Sequence, residues 1–464
     1  MSGQKHSEEL EEISLYAEHE KIYPRQAHGM FAILRVIGVL SLLGLYYFIP
    51  WMQWDGHQAI LFDIPARKFY ILGLVFWPQD FIYLTLLLVL AALSLFFFTA
   101  LAGRLWCGYA CPQTVWTEVF LWIERKVEGT RNQQIKRDEQ GWSAEKIRVK
   151  TIKHFIWIIF SLYTGITFVG YFTPIRELSD FILQLSLGPW EWFWILFYSF
   201  ATYGNAGWLR EQVCIYMCPY ARFQSAMVDD DTLIISYNEK RGDPRGSRKK
   251  GANYEEQGLG ACTDCSLCVQ VCPTGIDIRD GLQYECIACA ACIDVCDEVM
   301  DKMDYPKGLI SYTTLNTLEG KKPHILRPRI VIYIILLIAL TTGIFYSMLT
   351  RVPLSLDITR DRNTLFRETN EGLIENVYKI QIINKDTQAH HYQLQASGIN
   401  ELQIKMDIQD IYIDSGQNSE IIVRLQVDPE NLKNRNSDVI FMLSTQKGDI
   451  SIEEEARFIG PMFR

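Results

Sequence analysis

From Arg351 to Arg464 the sequence contains no cysteine. This C-terminal stretch therefore needs neither a disulfide nor a thiolate-bound metal. A basic excess is also missing: 45 Lys and Arg stand against 54 Asp and Glu, a net charge of −9. That balance gives no footing for a nucleic-acid partner. Histidine is scarce, at eight residues, and no two pair within the apolar segments, which argues against haem. His28 and His154 lie near the ends of such segments, and His57 has no assigned role. The first 29 residues lack the basic-then-apolar order of a cleavable signal peptide, so membrane entry is expected to use an uncleaved first span.

What the chain does have is long apolar runs. Hydrophobic residues make up 49% and aromatics 13%, concentrated in five stretches of the roughly 20 residues a helix needs to cross a hydrocarbon core. They run from Met30, Phe81, His154, Trp190 and Ile330. The shorter piece KFYILGLVFW, around Phe69, is read as an interfacial or re-entrant segment. Lysine and arginine crowd the loop between the second and third spans (Arg104 to Lys153), the stretch Lys240 to Lys250, and Arg327 with Arg329. All fall on one side, which the positive-inside rule makes cytoplasmic. The N-terminus is then inside and the C-terminus outside.

The tail beyond Arg351 alternates apolar and polar residues in short segments punctuated by Gly, Asn, Asp and Pro. This predicts a β-sandwich. Adjacent His390 and His391 suggest a copper ligand pair, against the plainer reading of a solvated strand pair. The expected organisation is an N-terminal cytoplasmic tail (1–29), a transmembrane domain of four spans (30–253), a cysteine-rich domain (254–310), a linker with the fifth span (311–350), and an external β-sandwich (351–464). The fold class is thus a multi-domain, largely α-helical membrane protein with an inserted ferredoxin domain and an all-β C-terminal domain.

Eight of the twelve cysteines lie between Cys262 and Cys296. Cys262, Cys265, Cys268 and Cys272 follow C-x2-C-x2-C-x3-C and precede Pro273; Cys286, Cys289, Cys292 and Cys296 repeat the spacing and precede Asp297. This is the bacterial pattern for two [4Fe–4S] clusters, in which the fourth cysteine of each run serves the other cluster. The expected sets are Cys262, Cys265, Cys268 and Cys296 for one cluster, and Cys286, Cys289, Cys292 and Cys272 for the second. Zinc ribbons use two C-x2-C pairs instead, and disulfides do not persist on a reducing side. Asp297 replaces the usual proline; it is either a charge that lowers the potential of a neighbouring cluster or a solvated helix residue.

The remaining cysteines form two C-x3-C-P motifs, Cys107/Cys111 and Cys214/Cys218, each just past a span and each followed by an apolar-periodic stretch. This is an internal repeat of a two-span unit. Pro112 and Pro219 suit the first position of a helix, which puts Cys111 and Cys218 at helix N-termini, where the dipole favours thiolate. Four converging thiolates would suit Cu(I), a redox dithiol or a third cluster. The plainer alternative is four small packing residues. Met217 is a packing residue or a thioether ligand.

With these segments in this order, and with CGYACPQTVW and CIYMCPYARFQ as they stand, the chain resembles the FixG/CcoG/RdxA family of cytochrome c oxidase accessory proteins over essentially its whole length. A looser similarity reaches the membrane polyferredoxins of nitrate and nitrous oxide respiration. The resemblance implies a bacterial inner-membrane protein that reduces Cu(II) to Cu(I) during assembly of a cbb-type oxidase, and it implies that the external β-sandwich is immunoglobulin-like. Cys107, Cys111, Cys214 and Cys218 would then be the catalytic cysteines and the eight ferredoxin cysteines the cluster ligands. Implied partners are the membrane, copper ion, a copper chaperone or transporter, oxidase subunits and an electron donor of unknown identity. Two other readings stand beside this one: a quinol-linked relay to another redox protein, and an oxidase assembly scaffold.

Overall fold

The computed structural model describes residues 21–461, apart from Asp55, Thr387, Gln409 and Lys447. Most of the expected N-terminal tail lies outside the described residues. The chain divides into two compact units: residues 1–53 with 91–337, and residues 54–90 with 338–464.

Four helices are long and apolar enough to cross a membrane, covering Met30–Trp51, Pro78–Ala102, Ala144–Val169 and Pro328–Leu349. Their α-helical cores are α1 (Met30–Phe48), α2 (Phe81–Ala102), α4 (Ala144–Val169) and α8 (Pro328–Leu349), with α3 (Pro112–Glu128) between α2 and α4. The span expected from Trp190 is different. It forms α5 (Pro189–Thr202), only 14 residues long, and continues as a π-helix over Tyr203–Leu209. Two glycines in YGNAGWL weaken the α-helical ladder. Gly207 also packs close to the Trp157 and Phe120 rings, where an added Cβ would stand 3.3 and 3.4 Å away. Gln113 adds hydrogen bonds here, donating to Asn205 O at 2.8 Å and Arg210 O at 3.1 Å.

A buried ion network ties α3 to α4 and to the chain after the π-helix. Glu124 meets Arg210 at 2.8 Å, Lys153 at 3.2 Å and Lys21 at 3.2 Å. Glu128 meets Lys153 at 2.7 Å and Lys150 at 3.0 Å.

After the short helix α6 (Pro219–Ser225), strands Ile234–Tyr237 and Ile310–Thr313 pair antiparallel. They bring together the entrance and exit of the cysteine-rich segment, which includes α7 (Ala291–Met303). This insert docks on the first span through one carboxylate. Asp294 of α7 accepts hydrogen bonds from Phe31 N at 3.2 Å and Ala32 N at 2.7 Å, satisfying donors that the first turn of α1 otherwise leaves orphaned.

In the second unit, the segment around Phe69 is a three-stranded antiparallel sheet, Ile60–Asp63, Lys68–Ile71 and Leu74–Phe76. It is not the interfacial or re-entrant segment expected. Ten residues are too few for a span, but aromatic and β-branched residues on both sides of the Gly73 turn suit a hairpin. The C-terminal strands are β1 (Leu354–Arg360), β2 (Arg367–Glu368), β3 (Ile374–Asn384), β4 (His390–Ser397), β5 (Gln403–Met406), β6 (Ile411–Ile413), β7 (Asn418–Val427), β8 (Asn436–Thr445) and β9 (Ser451–Ile459). They form two sheets, ordered β5-β7-β3-β1 with β2 on β3, and β6-β4-β8-β9. Every second residue of β3 turns inward. Tyr378, Ile380 and Ile382 are fully buried with Val423, Leu425, Phe441 and Leu443, and Tyr378 OH donates to Arg457 O of β9 at 2.9 Å.

Asp80, just past the three-stranded sheet, is nearly buried and joins Arg351 at 2.6 Å and Lys385 at 2.9 Å. Asp80→Ala leaves two cations without their carboxylate, so it is expected to destabilise this unit by about 3 kcal/mol. Chemical unfolding of the full chain in detergent, followed by tryptophan fluorescence (Trp77 lies beside Asp80), checks this. An unchanged midpoint would show that the pairs contribute nothing net.

Candidate iron–sulfur site

Both ferredoxin runs bend the same way. After Cys262, Asp264 and Ser266 are left-handed (φ 53° and 54°); after Cys286, Ala288 and Ala290 are too (φ 53° and 60°). Such a conformation is costly for residues with a Cβ. Taken twice in five residues, it curls the backbone around a centre and turns N–H groups inward, as anion-binding nests do. The repeat of spacing in the sequence is thus a repeat of conformation.

The two turns border two separate cavities. One has about 370 Å³ of unfilled space, and Cys262, Cys265, Cys268 and Cys296 all line it. The other has about 340 Å³ and is lined by Cys272, Cys286, Cys289 and Cys292, and also by Cys268, which borders both. The thiols sense the same grouping. Burial pushes Cys296 up to about 12, helped by Cys268, Asp297, Cys262 and Cys265. Burial likewise lifts Cys286 to about 12, with Cys289 and Cys272 adding to it. Cys268 rises to about 11, mainly by burial. Thiols crowded and buried in this way ionise only when a cation shares the space, so this donor set fits iron–sulfur clusters and binds them with proton release. Among the described residues, no three His, Cys, Asp or Glu side chains are gathered as ligands of one metal ion.

The C-x3-C-P cysteines end helices as expected. Cys111 caps α3 and Cys218 caps α6, each with proline at the first helical position. Cys107 lies in the short helix Leu105–Tyr109 and Cys214 in the π-helical turn Val213–Met217. The fold brings all four close enough to interact. Cys107 is raised to about 12 by burial first, then by Cys111, Cys214 and Cys218, against Arg104. Cys214 is raised to about 11 by burial, then by Cys111 and Cys218. The expected thiolate preference at Cys111 fails: burial raises this thiol and outweighs the N–H groups of Gln113 and Thr114.

The first motif also abuts the second ferredoxin turn. A Cβ on Gly108 would stand 2.8 Å from Ile287 O, 2.9 Å from Ala288 O and 2.9 Å from Cys289 Cα. Only glycine permits this approach of backbone to backbone.

The histidines are otherwise engaged. His154 Nδ1 is 2.9 Å from Tyr203 OH and lies against Trp157 and Trp208. His390 meets Asp386 at 2.7 Å and His391 meets Asp410 at 2.8 Å. Consecutive strand residues point to opposite faces, so these two do not form a copper pair. Met217 is exposed. Asp297 is half-buried and accepts from Gly308 N at 2.9 Å, so it is not a freely solvated residue.

Several site residues escape sequence reasoning. Arg279 lines the first cavity and is held by Asp277 and Asp264, each at 2.6 Å. Fully buried Gln224 donates to Gly103 O at 2.6 Å and lies 3.9 Å from Cys107 Sγ. No local pattern marks either. Arg35 did carry a signal: it is a lone charge inside an apolar run, which by default marks a functional position.

A helical membrane-anchored region, an iron–sulfur insert and a C-terminal β-domain together define a membrane-bound iron–sulfur redox protein. Family models match in the same order: a 4Fe-4S binding domain over 83–129, a 4Fe-4S dicluster domain over 209–315, and the immunoglobulin-like fold at the C-terminus of FixG over 344–461. Protein RdxB of Cereibacter sphaeroides is 40% identical over 86% of this chain and 87% of its own length. Protein RdxA of the same organism is 40% identical over 83% and 84%. Nitrogen fixation protein FixG of Rhizobium meliloti is 38% identical over 80% and 78%. A crystal structure of a FixG-related protein from Vibrio parahaemolyticus, 32% identical, covers 24% of this chain and 98% of that one, with a TM-score of 0.22. The chain belongs to the FixG/RdxA family.

Proposed function

We propose that the protein is an inner-membrane electron-transfer enzyme that reduces Cu(II) to Cu(I) for assembly of a cbb-type cytochrome c oxidase. Cys262, Cys265, Cys268 and Cys296 hold one [4Fe–4S] cluster, and Cys286, Cys289, Cys292 and Cys272 hold the other. The division of these thiols between two cavities supports that crossed assignment. The bound clusters supply one-electron storage. Cys107, Cys111, Cys214 and Cys218 receive the cupric substrate, whose reduced form is the softer ion and prefers thiolate. The ferredoxin insert faces the cytoplasm and the β-sandwich lies outside, on the strength of the basic loops and with the helical run from Trp190 counted as a short fifth crossing.

One observation carries the reading: Gly108 seats the first C-x3-C-P turn directly on the backbone of Ile287 to Cys289. An electron leaving that ferredoxin turn has the four-cysteine group as its neighbour.

The test is anaerobic. Protein reduced with dithionite and freed of it is mixed with Cu(II), while cluster absorbance and Cu(I) are followed together. The parent is expected to reoxidise with one Cu(I) formed per electron. A variant with Cys107, Cys111, Cys214 and Cys218 all changed to Ser, and with its cluster absorbance intact, is expected to be at least tenfold slower. Equal rates would remove the four cysteines from the reaction; an inert parent would end the reductase reading.

A further inference from the structure

The largest cavity described in the first unit, with about 1400 Å³ of unfilled space including its mouth, lies between α1, α3 and the ferredoxin insert. Its walls are apolar: Val39, Leu40 and Leu43 of α1 and Trp122 of α3 belong to it. Leu40 and Trp122 are 67% and 55% exposed on a helix pair that the first span sets in lipid, so this side opens to the membrane. The inner end is made by Val271, Pro273 and Ala291, which flank Cys272 and Cys292. Arg35 and Glu118 meet there, and Arg25 and Arg125 also line the cavity. Arg35 and Glu118 also border the adjoining space that reaches Cys289 and Cys214. Arg35 Nε is buried and has no hydrogen-bond partner among the described residues. Glu118 offers acceptor oxygens, one of them engaged by Arg125 at 2.9 Å.

We infer that this cavity binds a membrane quinol, the electron donor to the clusters of the proposed function, on which the redox half of this inference rests. The ligand must have an apolar tail, since the walls are apolar and open to lipid. Its head must both accept and donate hydrogen bonds, from the Arg35 guanidinium and to Glu118. A hydroquinone satisfies both the Arg35 guanidinium and Glu118; a phosphate head would meet Arg25, Arg35 and Arg125 but leave Glu118 without a donor from the ligand. The head end also lies against the turns that carry Cys272 and Cys292, where a donor belongs and a structural lipid has no reason to sit. Oxidation of one quinol to quinone releases two electrons and two protons. The two clusters take one electron each; Glu118 takes one proton and water at the polar mouth the other.

The test measures binding separately from turnover. Decylubiquinone is titrated into holoprotein in phosphatidylcholine nanodiscs, with empty discs correcting for partition into lipid. Cluster absorbance and iron content are recorded for every sample. The parent is expected to bind saturably. Val39→Trp, which fills the cavity, and Arg35→Gln are expected to weaken binding at least tenfold. Leu34→Trp, on the same helix but away from the cavity, should bind as the parent does. No saturable binding, or equal binding by Val39→Trp, overturns the proposal. So does displacement of the quinone by phosphatidylglycerol that the parent retains and Arg35→Gln does not, which would assign the cavity to an anionic lipid. Copper reduction by the dithionite-reduced parent and Val39→Trp separates the two readings: binding lost in Val39→Trp with its copper rate intact leaves the reductase standing, and a parent that binds quinone saturably but reduces no copper sinks the reductase alone.

Discussion

Cys296→Ser is expected to remove the cluster associated with the first cysteine run and spare the second, although Cys296 belongs to the second run. Cys272→Ser is expected to do the reverse. Each variant should keep about half of the parent's iron. Reduced samples should show electron paramagnetic resonance from one isolated cluster, without the coupling that two neighbouring reduced clusters produce. The reason is spatial. Cys296 lies one turn along α7 from Cys292, which carries its thiol out of its own run's cavity and into the one lined by Cys262, Cys265 and Cys268. Cys272, just past the short helix that carries Cys268, borders the other cavity with Cys286, Cys289 and Cys292. If Cys296→Ser and Cys265→Ser left different clusters behind, the crossed assignment would be wrong.

Glu124→Gln carries the second large effect. Glu124 is 2% exposed and faces Arg210, Lys153 and Lys21. Burial alone would raise its carboxyl, but Arg210, then Lys21 and Lys153, reverse this and hold it at about 2. Removing the charge strands buried cations and is expected to cost about 3–5 kcal/mol, read as a lower unfolding midpoint in detergent. The double variant Glu124→Gln, Lys153→Met should recover part of the loss, because it removes one of the cations left behind. The pH dependence has a definite sign. The folded value lies below the ordinary 4.5, so this contribution is complete above that value and fades as pH falls toward 2. Glu124→Gln should lose that portion of the acid sensitivity. A parent and variant with the same acid limb would mean that the network is held by packing rather than charge.

Much of the architecture was legible because two periodicities are strong. Uniform apolar runs gave α1, α2, α4 and α8 their places, and period-two alternation marked six of the C-terminal strands. The misses have local causes. β9 reads Ser-Ile-Glu-Glu-Glu-Ala-Arg-Phe-Ile and is mostly exposed, so it lacks the alternation that identified its neighbours. The hairpin around Phe69 is apolar on both faces and is as compatible with a short helix as with strands. The run from Trp190 is apolar enough for a span, yet its α-helix stops at Thr202, because Gly207 must pack against Trp157 and Gln113 claims carbonyls of the next turn.

By itself the sequence determined the iron–sulfur chemistry and the membrane anchoring. Ligand spacing and hydrophobic length are one-dimensional quantities and survive without a fold. It also named the four C-x3-C-P cysteines as a repeat. Only the tertiary structure decided that these four thiols come within electrostatic reach of one another, that burial overrules the helix dipole at Cys111, and that Gly108 lies on the backbone of Cys289. Those are contacts between residues more than a hundred positions apart, and burial is a property of what surrounds a residue. Arg35 stands between the two: its charge in an apolar run was visible from the start, but the cavity it faces exists only once α1, α3 and the insert are packed together.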